Sequence, residues 1–416
     1  MTAEPLGSGQ PIGWGGPFGL HRTVLLLAAT HFIVDGYGNI LAPLLPLLIT
    51  NLGLSLFAAG TLQMCFQMAN SVAQLGFGRL ADHWRPRVLV LVGPFVSVTI
   101  LSLIGLAPNA WALGAILVLG GLGGAAFHPP AAALVHRLSG PRKGLAMSAH
   151  ITGGSLGFSL GPLVFAPFVE RVGVAWTPVL MLPGIVVLTL FLRRVPPIAR
   201  LHEEHESAGF AALRPYAKPL ALLYGIVVLR TLASLSFATF MPVMLTRRGM
   251  SVAAAGAAAA AYLFASGIGG FLGGPAADRW GARRVIMVSL VAAVPFLAIA
   301  PSLSGWTFVA VLAIGGFLLQ STLPVNVTFG QTLAPISAAT VSSLMMGFAW
   351  GTGGLSVPFV GMLADRIGIE RALVIMAGMP LLAAALALPL PSGKPAPSRG
   401  RAAELVPEPT GTDVAE

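Results

Sequence analysis

The segment Gly78-Arg79-Leu80-Ala81-Asp82-His83-Trp84-Arg85-Pro86-Arg87 recurs as Gly274-Pro275-Ala276-Ala277-Asp278-Arg279-Trp280-Gly281-Ala282-Arg283, with Gly, Ala, Asp, Trp and Arg matching at a single offset of 196 residues. A chain of 416 residues that repeats a loop at this spacing is two copies of one plan. Each copy closes one long apolar run and precedes another, so the repeated unit is a bundle of membrane-crossing helices. Internal repetition of such bundles is the architecture of secondary transporters.

A water-soluble domain carries about 25% charged residues, whereas this chain has 9% charged, 56% hydrophobic and a mean hydropathy of +0.84. Its solvent is therefore lipid. A crossing helix needs roughly 20 apolar residues, and twelve such runs fall near 23–49, 54–80, 88–107, 111–137, 144–169, 174–193, 219–245, 251–277, 285–302, 306–333, 337–363 and 371–389. They lack the period-two alternation of a barrel, which leaves an all-α membrane protein of two pseudo-symmetric six-helix bundles.

The net charge of +10 could point to nucleic acid, but the basic residues are scattered over the loops. With both termini cytoplasmic, the cytoplasmic segments hold 18 Lys and Arg residues and the external loops five, and Arg230 alone is left inside the membrane. That bias sets the orientation by the positive-inside rule and excludes nucleic acid as the partner. The expected organisation is a cytoplasmic segment 1–22, a bundle 23–193, a cytoplasmic linker 194–218, a second bundle 219–390 and a disordered tail 391–416 in a bacterial inner membrane. Residues 202–206 of the linker (His-Glu-Glu-His-Glu) read as a solvated loop rather than a metal site. The single cysteine, Cys65, excludes a disulfide framework and a cysteine metal site. No metal or cofactor is expected.

Of 14 acidic residues only Asp35 lies deep inside an apolar run. A charge there costs roughly 2.5–3.5 kcal/mol, so function is the reason to keep it. His31, Asp35 and Asn39 recur at intervals of four and form a polar stripe on one helical face. A midplane carboxylate that meets and leaves a positive partner can take up and release a proton. Asp35 is the candidate proton carrier, with a permanently paired structural role as the alternative. His31 either relays that proton or hydrogen-bonds within the bundle.

Arg230 is one residue from the repeat equivalent of Asp35, so the pair could form a bridge that an anionic substrate breaks by taking the guanidinium. Asn39, His128, Gln63 and Gln67 are further candidate substrate contacts. His128 precedes Pro129 and Pro130, which remove backbone donors and should kink the helix. Gln63, Gln67, Asn70 and Gln74 put a polar face on the second span, and His150 reads as packing. Gly153, Gly157 and Gly161, followed by Pro162, let another helix approach closely. Gly153-Gly154-Ser155-Leu156-Gly157 matches a nucleophile elbow, but Ser155 lies in an apolar helical run rather than on a strand-to-helix turn, so a serine hydrolase is a remote alternative. No phosphate-binding loop of an ATP-driven pump occurs.

The repeated Gly-x-x-Ala-Asp loop, the twelve spans and the central linker together resemble the major facilitator superfamily over nearly the whole chain. Gly78, Asp82 and Arg87, and again Gly274, Asp278 and Arg283, match its loop signature, which the resemblance implies is a latch of the cytoplasmic gate. Asp82 would then meet the start of span eleven near Ser337, and Asp278 that of span five near Gly144. Within the superfamily, His31-x-x-x-Asp35, Phe127-His128-Pro129 and the glycine pattern of 153–162 are similar to the fosmidomycin resistance efflux family. The resemblance implies a proton-coupled exporter of small anionic or amphiphilic compounds such as drugs, working by alternating access. Proton-coupled uptake of an organic anion is the second reading, and a non-transporting membrane sensor a third. The expected partners are a small-molecule substrate, protons and membrane lipid, and the expected state is a monomer.

Overall fold

Lipid narrows the choice of secondary structure, because a backbone N–H or C=O without a partner in hydrocarbon costs several kcal/mol. The computed structural model describes residues 20–83, 86–139, 142–195, 210–335 and 338–392, and every regular element among them is helical. Most of the expected N-terminal segment, the linker from 196 to 209 with its His/Glu cluster, and the tail from 393 onward lie outside the described residues.

The first half runs α1 (Arg22–Gly38), α2 (Leu41–Leu52), α3 (Leu56–His83), α4 (Pro86–Ser102), α5 (Ala110–Leu138), α6 (Lys143–Val172) and α7 (Met181–Leu192). The second runs α8 (Ala217–Arg247), α9 (Val252–Trp280), α10 (Ala282–Ile299), α11 (Gly305–Gln320), α12 (Thr322–Leu333), α13 (Ala338–Ser342), α14 (Ala349–Leu355), α15 (Val357–Ile367), α16 (Ile369–Ala377) and α17 (Met379–Ala387). Proline sets several interruptions. Pro43 has no N–H for the Asn39 carbonyl and its ring crowds that oxygen, so α1 stops at Gly38 and α2 starts at Leu41. Pro324 acts likewise on Gln320 between α11 and α12, and Pro358 on Gly354 between α14 and α15.

Ten helical stretches among the described residues are long and apolar enough to cross a membrane. The two remaining runs of the sequence reading are polar or broken. Helix α3 carries Gln63, Gln67, Asn70 and Gln74, and the stretch from Ala338 to Ile367 is divided by a π-helical segment at Ser343–Phe348. These two pack on each other, so their polar and irregular backbone faces protein rather than lipid. Large apolar side chains such as Val164, Val186, Val288 and Phe359 are exposed around the bundle, as lipid contact requires. Trp111 and Trp306 open α5 and α11, pseudo-equivalent helices, and are 89% and 87% exposed, the position of interfacial anchors.

Within the first half, α6 lies against α1 through its glycine stripe. A Cβ on Gly153, Gly157 or Gly161 would sit 2.3, 1.9 or 2.7 Å from the carbonyl oxygens of Ala28, Phe32 and Gly36 respectively. The halves meet along α6 against α9 and along α3 against α14 and α15. A Cβ on Gly60 would lie 2.7 Å from the Val357 carbonyl, and one on Gly256 would lie 3.0 Å from that of Pro162. Both contacts fall toward the face where α3 and α9 begin. Toward the opposite face, Gly76 and Gly274 of the same two helices meet nothing within 4 Å among the described residues. The molecule is closed at the face away from the linker.

Candidate functional site

Helix α1 carries His31 and Asp35 one turn apart, and His31 Nε2 lies 3.1 Å from Asp35 Oδ2. Helix α5, which contains Pro129 and Pro130, adds His128 with Nε2 3.5 Å from Asp35 Oδ1. Helix α6 adds His150, whose ring centroid is 4.4 Å from that of His31 and whose backbone carbonyl lies 2.9 Å from His31 Nδ1. Three helices thus converge on one carboxylate. Room for the pair is left by Gly154: a Cβ there would sit 2.5 Å from His31 Nε2 and 2.6 Å from Asp35 Oδ2. The cluster is accessible, with Asp35 25% exposed.

Hydrogen-bond accounting relates the contacts of this pair to its proton content. A carbonyl only accepts, so Nδ1 carries hydrogen. Nε2 then faces a carboxylate oxygen at hydrogen-bonding distance, and a bond there needs a second hydrogen on either His31 or Asp35. That bond forms only when the His31–Asp35 pair holds one proton more than a neutral imidazole beside an ionised carboxylate. The ligand atoms of His31, Asp35 and His128 also lie within 4.8 Å of one another. Two nitrogens and one oxygen are a donor set that suits zinc or a similar ion.

The second polar centre belongs wholly to the other half. Arg230 of α8 is 1% exposed; its Nη1 donates to Gln320 Oε1 and its Nη2 to Thr231 Oγ1 at 3.1 Å. Its guanidinium carbon lies 5.6 Å from the Trp350 ring centroid, and Gln320 Nε2 donates to Ser234 Oγ at 3.1 Å. Among the described residues no carboxylate pairs with Arg230. Arg230 Nε, Tyr262 Oη, Ser266 Oγ and both polar side-chain atoms of Asn326 are buried without hydrogen-bond partners.

Asp35 and Arg230 thus do not form the bridge that their near-equivalence led us to expect. Pseudo-equivalent positions in two repeats sit on opposite sides of the repeat axis, and here each is engaged by helices of its own half. Asn39 leaves the polar stripe because α1 ends before it, and its Nδ2 donates to the Phe158 carbonyl at 2.8 Å. His128 and His150, read from sequence as a substrate contact and as packing, both belong to the Asp35 cluster. Gln67 donates to Ser71 Oγ at 3.0 Å and lies against Gly354 of α14, while Gln63 is buried one turn earlier. Ser155 is in mid-helix, not on a strand-to-helix turn.

Of the loop-signature residues, Asp278 is exposed, Arg283 and Gly78 are half-buried and Gly274 is open. Arg87 has a buried Nε without a partner. The side chain of Asp82 and the residue Ser337 lie outside the described residues. The side-chain surroundings of Gly144, the expected partner of Asp278 at the start of α6, also lie outside the described residues. Gln320, Trp350, Thr231, Ser234 and Tyr262 had no signal in the sequence beyond polar or aromatic type inside apolar runs.

A Major Facilitator Superfamily profile matches residues 27–233 and 223–410. The Fosmidomycin resistance protein of Escherichia coli (strain K12) is 31% identical over 366 residues, covering 86% of this chain and 89% of that protein. An uncharacterized MFS-type transporter of Bacillus subtilis (strain 168), YfnC, is 27% identical over 392 residues, covering 90% of this chain and 93% of its own. Among solved structures, a bacterial homolog of the human lysosomal transporter Spinster, inward-facing and unoccupied, is similar with a TM-score of 0.73 at 17% identity, over 88% of this chain and 95% of that one. The chain belongs to the Major Facilitator Superfamily and is an integral membrane protein, a transporter and not an enzyme.

Proposed function

We propose that the protein is a proton-coupled exporter of small anionic or amphiphilic compounds. The observation that carries this reading is the contact between His31 and Asp35, which can share a proton, in a cluster that His128 and the His150 carbonyl complete. A proton site in one half and a buried, acid-free arginine in the other give a transporter two separate occupants to exchange. Arg230 contacts the substrate's negative group, and the same half also buries unpartnered polar atoms of Tyr262, Ser266 and Asn326. Export rather than uptake is supported by the resistance function in the name of the Escherichia coli relative.

The linker face is cytoplasmic in this proposal, as the distribution of basic residues favours, so the face on which the two halves are packed together is the external one. The loops around Asp82 and Asp278 latch that face when it closes, and the protein acts as a monomer with the two bundles rocking about the site. Purified protein in proteoliposomes, loaded with fosmidomycin as the test compound under pH gradients of either sign, tests the reading. Export coupling predicts that fosmidomycin moves against the imposed proton gradient and reverses with its sign. Movement in the same direction as the protons would show uptake, and movement indifferent to the gradient would remove proton coupling.

A further inference from the structure

The closed face carries a second repeat. Val169-Glu170-Arg171-Val172-Gly173 ends α6, and Ala364-Asp365-Arg366-Ile367-Gly368 ends α15, each at a left-handed glycine with φ 92°. An acid in the last turn of its own helix sits at the negative end of the macrodipole, an unfavourable place. Both acids instead reach the other half. Asp365 accepts from the backbone N–H groups of Leu56 and Phe57, each at 2.9 Å, at the start of α3. Glu170 accepts from the N–H of Ala253 at the start of α9.

The helix ends they meet are also repeated. Ser55 Oγ accepts from the Ala58 N–H at 3.1 Å, and Ser251 Oγ accepts from the Ala254 N–H at 3.2 Å. Each serine serves the third free donor of its helix and leaves the first two unserved. The foreign carboxylate takes both remaining donors at α3 and the second of the two at α9. The match of two acids to two serine-capped ends, at equivalent places in both halves, is not needed to fold either bundle, since each contact joins one half to the other.

We infer that Glu170 and Asp365 are paired latches that hold this face shut, each by seating a carboxylate on the N-terminus of a helix from the opposite half. When the face opens, both acids leave and the three N–H groups of Leu56, Phe57 and Ala253 turn to water. The latches therefore set the balance between the two access states without touching substrate or proton. The inference rests on alternating access but on neither the direction nor the coupling of transport.

Pulsed electron paramagnetic resonance on the full chain tests it, with spin labels on cysteines at Pro108 and Ser302 in a Cys65→Ser background. Both positions are exposed in connections on this face, one in each half. Loss of one helix cap weakens a helix contact by about five-fold, so Glu170→Gln or Asp365→Asn alone should raise the open fraction about five-fold. The two together should raise it about 25-fold, because the sites are independent. Arg171→Gln should leave the distances as in the parent. An unchanged distance distribution in both single variants would overturn the latch, and so would an equal shift in Arg171→Gln. If the double variant does not fold, the single variants decide. Failure of proton-coupled flux in the parent would count against the proposed function and leave this result standing.

Discussion

Two glycines three residues apart on α6 should respond to the same added methyl group in opposite ways. In Gly157→Ala the new Cβ would lie 1.9 Å from the Phe32 carbonyl oxygen, against an ordinary contact of 3.4 Å or more, so α1 and α6 must separate by roughly 1.5 Å at their seam. Backbone cannot yield locally, and overpacking of this kind costs about 1–3 kcal/mol or more. In Gly154→Ala the Cβ meets only side-chain tips, 2.5 Å from His31 Nε2 and 2.6 Å from Asp35 Oδ2. Those tips can move, but a shift of about 0.9 Å stretches the 3.1 Å His31–Asp35 contact toward 4 Å and breaks it. A hydrogen bond to a charged group is worth about 1.5–3 kcal/mol, which is roughly a 10- to 150-fold change in the equilibrium that uses it. Gly154→Ala should therefore lose 10-fold or more of gradient-driven fosmidomycin flux in proteoliposomes while its unfolding temperature in detergent stays within about 2 °C of the parent. Gly157→Ala should lower the unfolding temperature first. Wild-type gradient-driven flux in a well-folded Gly154→Ala protein would refute the argument that the His31–Asp35 contact carries the coupling.

Arg230→Ala should weaken binding of an anionic test compound, measured by isothermal titration calorimetry, by 10-fold or more, and Arg230→Lys should recover only part, because an ammonium cannot reproduce the paired donations to Gln320 and Thr231. Since Asp35 and Arg230 have separate partners, Asp35→Asn and Arg230→Ala should act additively on unfolding free energy within about 0.5 kcal/mol; a compensating double variant would restore the bridge that the structure lacks. His21 caps α1 by accepting from the Thr23 N–H, and burial lowers its pKa below 6.5. The folded state then binds fewer protons than the unfolded one, so the cap's contribution is present above pH 6.5 and is lost as pH falls through that value toward the folded pKa. The protection factor at the first turn of α1, which corrects for the pH dependence of intrinsic exchange, should fall as pH drops below 6.5 in the parent and not in His21→Ala.

Local spacing made much of this legible. The helices and the repeat follow from apolar run length and one recurring loop, and the His31–Asp35 contact follows from a four-residue interval on one helix. What remained hidden depends on which helix faces which. His150 is 119 residues from His31 and carries no pattern that ties it there. The Arg230 site draws on α8, α11 and α14, and its key distances are set by proline breaks at Pro324 and by the π-helical stretch before Trp350. Near-equivalence in the repeat located Asp35 and Arg230 correctly in their own spans but could not say that each would be claimed by its own half. The latches were visible in principle, as Ser55 with Ser251 and Glu170-Arg-Val-Gly with Asp365-Arg-Ile-Gly. They lie in turns of low apolar contrast at the closed face, between the long hydrophobic runs.

The central claim is that Asp35 and His31 together hand a proton across as substrate moves the other way. Its most direct test loads proteoliposomes with fosmidomycin on one side only, with no pH gradient, and follows lumenal pH with a trapped dye. The account predicts that the parent protein moves protons opposite to fosmidomycin, and that Asp35→Asn moves none while still binding the compound. Proton movement at the parent rate in Asp35→Asn would contradict it.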